Sequence, residues 1–354
     1  MLDQAQITEL SKIAKQMVAE GKGILAADES MNTVGKRFAS ITLENTEDNR
    51  RAFREMLLTA PGEAQYVSGV ILFDETIRQK TGTGQSFVEV LNSEGILPGI
   101  KVDQGLMPMP GSPDEQLTKG LDGLADRLKE YVALGAKFCK WRSVITIGNH
   151  MPSDANIAQN AKDLAAYALV CQECGLVPMV EPEVLLEGTH SIEQCAEAVE
   201  KILTALVQEL KNAGVSFEGM LLKSSMVLPG KGFGSKATPE QVAAATISIF
   251  KKVLPENLAG VVFLSGGQGD VEATENLNAI NALGKQPWPL TFSYARALQD
   301  AATKTWKGMK ENLTAAQKVF LHRAKMNSLA SMGKYSADME QVGMASDTAS
   351  ASQN

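Results

Sequence analysis

Lys223 closes a short apolar run, Gly219-Met220-Leu221-Leu222-Lys223-Ser224-Ser225. Such a run reads as a buried strand. A lysine at its end is costly to keep charged, which favours the neutral amine, and a neutral amine forms a Schiff base with a ketone or aldehyde. Taken alone, the residue reads more simply as a lysine that snorkels from a strand end to water. The other apolar runs reverse that weighting, because most of them end in charge as well. Asp28-Glu29-Ser30 follows the first, Lys101 and Asp103 mark the third, and Lys140 and Arg142 the fourth. Glu181 and Glu183 mark the fifth, Ser265-Gly266-Gly267 follows the seventh, and Arg296 follows the eighth. Pairs spaced i, i+2 on a strand share a face. Any one pair reads as an ion pair satisfying its neighbours, but charge at the same end of most strands is not packing, since barrel interiors are otherwise apolar.

The mix defines a chemistry. Lysines among other cations are activated as nucleophiles, and carboxylates supply general acid and base. Lysines, arginines and glycine amides together bind phosphate. Ser265-Gly266-Gly267 and Ser293–Arg296 follow the seventh and eighth strands, where barrels place a phosphate. Lys101 and the Ser30–Thr33 turn are placed for a second phosphate across the mouth. A Schiff-base lysine between two phosphate sites implies a ketose bisphosphate.

Eight short apolar segments must position these residues: Gly23–Ala27, Val67–Phe73, Gly99–Val102, Lys137–Ile145, Leu176–Val180, Met220–Leu222, Val261–Leu264 and Leu290–Ser293. Helical spacing recurs between them, over Thr46–Leu58, Gln116–Leu134, Ile157–Cys174, Ile192–Ala213 and Pro239–Val253. Thr238 before Pro239 is a good N-cap. Strand-then-helix repeated eight times predicts an α/β protein, a (β/α)8 TIM barrel. An extra N-terminal helix, Ile7–Glu20, precedes it and another, Thr314–Tyr335, follows. Residues 1–335 are expected to form the single barrel domain, and the Ser-, Ala- and Asp-rich residues 336–354 a mobile C-terminal tail. A doubly wound sheet fits less well, for want of a Gly-rich nucleotide loop after the first strand.

The chain's 354 residues are 44% hydrophobic, enough for a large core. A net charge of −7 argues against a nucleic-acid surface. No apolar run is long enough to span a bilayer, and the N-terminus lacks the features of a secretory signal. Cys171 and Cys174 form a C-x-x-C inside a predicted helix and, without a second thiol pair, read as packing. The expected location is cytoplasmic. The three histidines, His150, His190 and His322, lack metal-ligand spacing, so no metal or other cofactor is expected. Gly230-Lys231-Gly232-Phe233-Gly234 and Gly266-Gly267-Gln268-Gly269 are not P-loops and read as mobile loops at the mouth.

Seven ordered segments resemble the class I, Schiff-base-forming fructose-1,6-bisphosphate aldolases. They are Gly21–Ser30, Gly99–Asp103, Lys140-Trp141-Arg142, Val180–Glu183, Leu221-Leu222-Lys223, Phe263–Gln268 and Ser293–Gln299. The resemblance implies a glycolytic and gluconeogenic lyase that cleaves fructose 1,6-bisphosphate to dihydroxyacetone phosphate and glyceraldehyde 3-phosphate, without a metal, as a homotetramer. It implies that Lys223 is the Schiff-base lysine, Glu181 the acid that dehydrates the carbinolamine and Glu183 its assistant. Lys140 stands beside the Schiff base and Asp28 near the C4 hydroxyl. Ser265, Gly266 and Arg296 match the C1-phosphate end; Lys101, Ser30 and Thr33 the C6-phosphate end; and Lys36, Arg37 and Arg142 further basic residues of the mouth.

Three departures from the animal members stand out. Ser224-Ser225 replaces Pro-Asn after the lysine, Ala295 replaces a glycine before Arg296, and the last tyrosine is Tyr335, where the animal enzymes end in a tyrosine that exchanges the C3 proton. The alternatives are the same chemistry on sedoheptulose 1,7-bisphosphate or fructose 1-phosphate, or a non-catalytic binding protein on this fold. The last would be expected to have lost Lys223 or Glu181.

Overall fold

The structure, a computed structural model, describes residues 2–341. The eight apolar segments form β1 (Gly23–Ala27), β2 (Val67–Leu72), β3 (Leu97–Lys101), β4 (Phe138–Ile145), β5 (Val177–Val184), β6 (Leu221–Ser224), β7 (Val261–Phe263) and β8 (Leu290–Tyr294). Each pairs in parallel with the next, and β8 pairs with β1 to close a barrel. The architecture is the predicted (β/α)8 barrel.

Alternation along the strands separates two cores. Leu25, Ala27, Cys139, Trp141, Val180 and Leu222 face outward, into the layer of helices. Ile24, Ala26, Ile71, Phe138, Val177, Met179, Leu221 and Val262 face inward and pack with Leu10, Ala14 and Met17 of the N-terminal helix Gln4–Met17. That helix therefore plugs the N-terminal end of the barrel. Its start is set by Asp3, whose side chain accepts from the Gln6 amide in a capping box. Gly99 leaves the space that the Phe138 ring fills, so a side chain there would collide with it.

Helices Ile192–Ala213 and Pro239–Val253 have the predicted bounds, and Ser191 and Thr238 cap them. The stretch Gln116–Leu134 does not. Its first residues belong to an antiparallel hairpin, Leu106–Met109 with Ser112–Thr118, and the helix spans only Leu124–Ala133. Pro110-Gly111 makes the hairpin turn, with Gly111 at φ 82°, a conformation suited to glycine. The Thr118 hydroxyl donates to the Arg142 carbonyl at 2.9 Å, holding the hairpin against β4. Cys171 is buried in helix Asp154–Glu173 with its Sγ 2.8 Å from that of Cys139.

The C-terminal helix spans Leu313–Ser331. Beyond it, Glu340 accepts from both His322 (3.0 Å) and Arg323 (2.6 Å), and from the Tyr335 hydroxyl (3.0 Å). The first residues of the expected tail are thus anchored. Residues 342–354 lie outside the described part.

Candidate active site

The inward row of four strands changes character towards its C-terminal end. Ala26 gives way to Asp28, Phe138 to Lys140 and Arg142, Met179 to Glu181 and Glu183, and Leu221 to Lys223. Barrel enzymes build their active sites at this end. Lys140, Lys223 and Glu181 are 3–4% exposed and Asp28 is 7% exposed, so their charges must be matched inside the protein.

They are matched in a chain. The Lys140 ammonium is 2.6 Å from Asp28 Oδ2 and 3.1 Å from Glu181 Oε2, and the Lys223 ammonium is 3.1 Å from Glu181 Oε1. Glu181 thus bridges the two lysines. Burial pushes the Asp28 carboxyl up, but Lys140, then Lys223 and Lys101, outweigh it and hold the group well below the usual carboxylate range. For Glu181, burial is likewise outweighed by Lys140, Lys223 and Arg142, and the net shift is down. Burial pushes Lys140 down, and Asp28, Glu181 and Asp103 more than offset it, so the ammonium is held well above its ordinary value. Two further pairs lie above this layer, Arg142 with Glu183 and Lys101 with Asp103.

The mouth is cationic at both sides. On one side, Ser265 and the left-handed turn Gly266-Gly267 (φ 57° and 97°) follow β7, and Arg296 opens helix Arg296–Trp306 after β8. Arg296 is exposed and, among the described residues, has no ion-pair or hydrogen-bond partner. The Ser293 hydroxyl on the inner wall is buried and also unpartnered. On the other side, Ser30 caps helix Met31–Ala39, its hydroxyl 3.1 Å from that of Thr33, and Lys36 is exposed. Arg37 is instead tied to Glu29 at 2.7 Å and to Gln299, and Glu29 also holds Arg54 at 2.5 Å.

All fourteen residues put forward from the sequence line one cleft of about 1200 Å³. Arg142, Arg37 and Lys101 do so as members of ion pairs and not as free cations. The cleft also holds residues that sequence reasoning missed, among them Arg78, Arg127 and Asp300. Arg78 pairs with Asp74 (2.9 Å) and Glu130 (2.5 Å). The signal for it was Asp74, two residues past β2, the one strand end for which no candidate was named. Arg127 and Asp300 sit on helices, where strand-end reasoning has no purchase. Tyr335 lies elsewhere, in a shallow groove with Pro239, Asn278 and Leu283. Among the described residues, no cluster of three His, Cys, Asp or Glu side chains is placed to hold a metal, and no helix is long and apolar enough to cross a membrane.

Residues 9–354 match the family model described as "Fructose-bisphosphate aldolase class-I". The chain is 54% identical over 333 residues to fructose-bisphosphate aldolase 4, cytosolic, of Arabidopsis thaliana, covering 94% of this chain and 85% of the relative. It is 51% identical over 343 residues to fructose-bisphosphate aldolase of Dictyostelium discoideum, covering 96% of each. Fructose-bisphosphate aldolase from Plasmodium falciparum, solved in complex with TRAP and a small-molecule inhibitor, superposes with a TM-score of 0.94 at 48% identity, covering 95% of this chain and 97% of that one.

Proposed function

The chain belongs to the class-I fructose-bisphosphate aldolase family and acts as a fructose-bisphosphate aldolase, and from that premise we propose which of its residues carry the reaction and how. The observation that carries the reading is Glu181 bridging Lys223 and Lys140 at 3.1 Å each on the buried floor of a cation-rimmed cleft. Lys223 passes a proton to Glu181 across that contact and attacks the C2 ketone as the free amine. Glu181 then returns the proton to the carbinolamine hydroxyl, which leaves as water, so ammonium and ketone become iminium and water with no net proton lost. Arg142 is ion-paired with Glu183 at the edge of this exchange.

The iminium draws the C3–C4 bonding pair towards C2 as the C4 hydroxyl proton leaves. Asp28, held ionised beside Lys140, faces that hydroxyl as the acceptor and fixes its orientation. Glyceraldehyde 3-phosphate departs, the enamine is protonated at C3, and water releases dihydroxyacetone phosphate. Ser265, Gly266 and Arg296 hold the C1 phosphate; Lys101, Ser30 and Thr33, with Lys36, hold the C6 phosphate. Family membership is also the ground for proposing a cytosolic location and a homotetramer, which fractionation and analytical ultracentrifugation test.

Borohydride reduction in the presence of dihydroxyacetone phosphate tests the nucleophile. Label is expected on the peptide containing Lys223, and none on Lys223→Ala. Label on Lys140 or Lys101 would overturn the assignment.

A further inference from the structure

The loop between β6 and the next helix contributes a cation to the rim. The amides of Gly230, Lys231 and Gly232 donate to the carbonyls of His190 (2.9 Å), Leu186 (2.9 Å) and Gly188 (2.8 Å). Side chains at the two glycines are excluded by contact: a Cβ at Gly230 would sit 2.5 Å from the Gly188 carbonyl oxygen, and one at Gly232 would sit 3.1 Å from it. Lys231 is therefore the one side chain of this tripeptide free to reach outward, from a backbone fixed by three hydrogen bonds.

It reaches the turn after β7. A Cβ at Gly267 would lie 2.7 Å from the Lys231 ammonium and 3.4 Å from Arg296 Nη2, so both cations converge on one point beside the glycine turn. Among the described residues the Gly266 and Gly267 amides have no acceptor. Among the described residues the only acid paired with Lys231 is Glu187 at 3.5 Å, with both partners about half or more exposed (48% and 66%), a contact of little strength. Two converging cations, unpaired amides and a buried serine make a place for an anion that the protein itself does not supply.

We propose that Lys231 is a phosphate-binding residue of the cleft, acting with Arg296 and the Gly266-Gly267 turn on the C1 phosphate of the ketose. The inference rests on the assignment of that phosphate to Ser265, Gly266 and Arg296, and adds to it a ligand from a different strand-to-helix loop. Lys231 stands outside the cleft wall, so it closes over the phosphate from the rim and does not touch the carbon skeleton.

The test compares Lys231→Ala and Lys231→Arg with Arg296→Ala, using borohydride trapping by dihydroxyacetone phosphate and KM for fructose 1,6-bisphosphate and fructose 1-phosphate. Because Lys231 is half-exposed, its loss should weaken trapping and raise KM for both substrates by about five- to tenfold, with kcat within about twofold, and Lys231→Arg should restore most of it. No change for Lys231→Ala while Arg296→Ala weakens both would overturn the role of Lys231 and leave the subsite standing. A loss on fructose 1,6-bisphosphate alone would place Lys231 at the C6 phosphate and also overturn it. No loss for Arg296→Ala on either substrate would overturn the subsite itself. A loss that Lys231→Arg does not recover, with the fold intact by circular dichroism, would show that the loop and not the cation matters, against the proposal.

Discussion

The inside of this barrel has two halves built on the same strands. Towards the N-terminal end, Ala26, Phe138, Met179 and Leu221 pack against the plugging helix as an ordinary apolar core. Two residues further along the same faces stand Asp28, Lys140, Glu181 and Lys223, equally buried but joined by ion pairs. The backbone and burial hardly differ; the chemistry does. Burying ion pairs is at best neutral for stability, so the upper half is not explained by folding. The lower half gives the upper one a rigid base, because a packed layer holds the strand spacing that keeps Glu181 within reach of both lysines.

Exchanging one residue in each half should separate these roles most strongly. Glu181→Gln is expected to lower kcat by about 10²–10⁴-fold with a small KM change, as for a lost acid–base group. Met179→Ala is expected to cost about 2–5 kcal/mol of stability as a cavity in the floor, with kcat at low temperature changed far less. Steady-state kinetics beside denaturant unfolding measures both. A Glu181→Gln enzyme with kcat preserved and KM raised would make that residue a positioning group.

Lys140 probes the upper half through pH. The Asp28 carboxyl is held below its ordinary value, so its contribution to stability is complete above the unfolded value of about 3.9 and is lost as pH falls below it. Lys140 is shifted upward, and its contribution is present below about pH 10.4 and lost as pH rises beyond. In Lys140→Met the burial of Asp28 is no longer outweighed by its nearest cation. Acid unfolding should then begin at higher pH, and stability at neutral pH should fall by about 3–5 kcal/mol, the cost of leaving a buried charge unpaired. An unchanged acid limb in a pH series of melting curves would show that Lys223 and Lys101 suffice to hold Asp28.

The two halves were not equally legible in the sequence. Apolar runs mark strands whatever lies inside the barrel, and the polar and charged residues just past their ends followed from order, whereas Lys36 and Arg37 came only from the family resemblance. Helical spacing made Ile192–Ala213 and Pro239–Val253 readable to the residue, the second helped by its Thr238 cap. The hairpin at 106–118 was misread because apolar spacing over Gln116–Leu134 happens to suit a helix, while Pro110-Gly111 upstream was the overlooked turn signal. Pairing was beyond reach for a different reason. That Arg37 is tied to Gln299, or that Lys231 meets Gly267 beside Arg296, depends on segments brought together from distant parts of the chain. Local sequence carries no trace of such approach.

A smaller effect is expected at the mouth, where charges are only partly desolvated. Lys101→Ala should raise KM for fructose 1,6-bisphosphate by the equivalent of about 1.5–3 kcal/mol, roughly 10- to 150-fold, and leave fructose 1-phosphate nearly unchanged because it lacks the C6 phosphate. Its ion pair with Asp103 must open to release the ammonium, which favours the lower end of that range. Equal losses on the two substrates would contradict the opposed placement of Lys101 and Arg296.

The smallest effect should come from the cluster outside the barrel, where Glu340 holds Arg323, His322 and Tyr335. These groups are ion-paired like those of the cleft but lie away from it, and Tyr335 lines a separate groove. If position within the barrel is what turns an ion-pair network into chemistry, this one is structural only. Arg323 keeps its bond to the Thr274 hydroxyl at 2.6 Å when the carboxylate is lost, and Glu340 is 21% exposed, so Glu340→Gln should cost about 1 kcal/mol and leave kcat unchanged. Burial and Glu340 together hold the Tyr335 phenol far above its ordinary value, which makes it a poor proton carrier where it stands. Denaturation midpoints and kcat for Glu340→Gln and Tyr335→Phe decide the point. A fall in kcat of tenfold or more, with the Schiff base still trapped by borohydride, would mean that Tyr335 leaves this cluster to exchange the C3 proton of the enamine, and that the network outside the barrel serves the reaction after all.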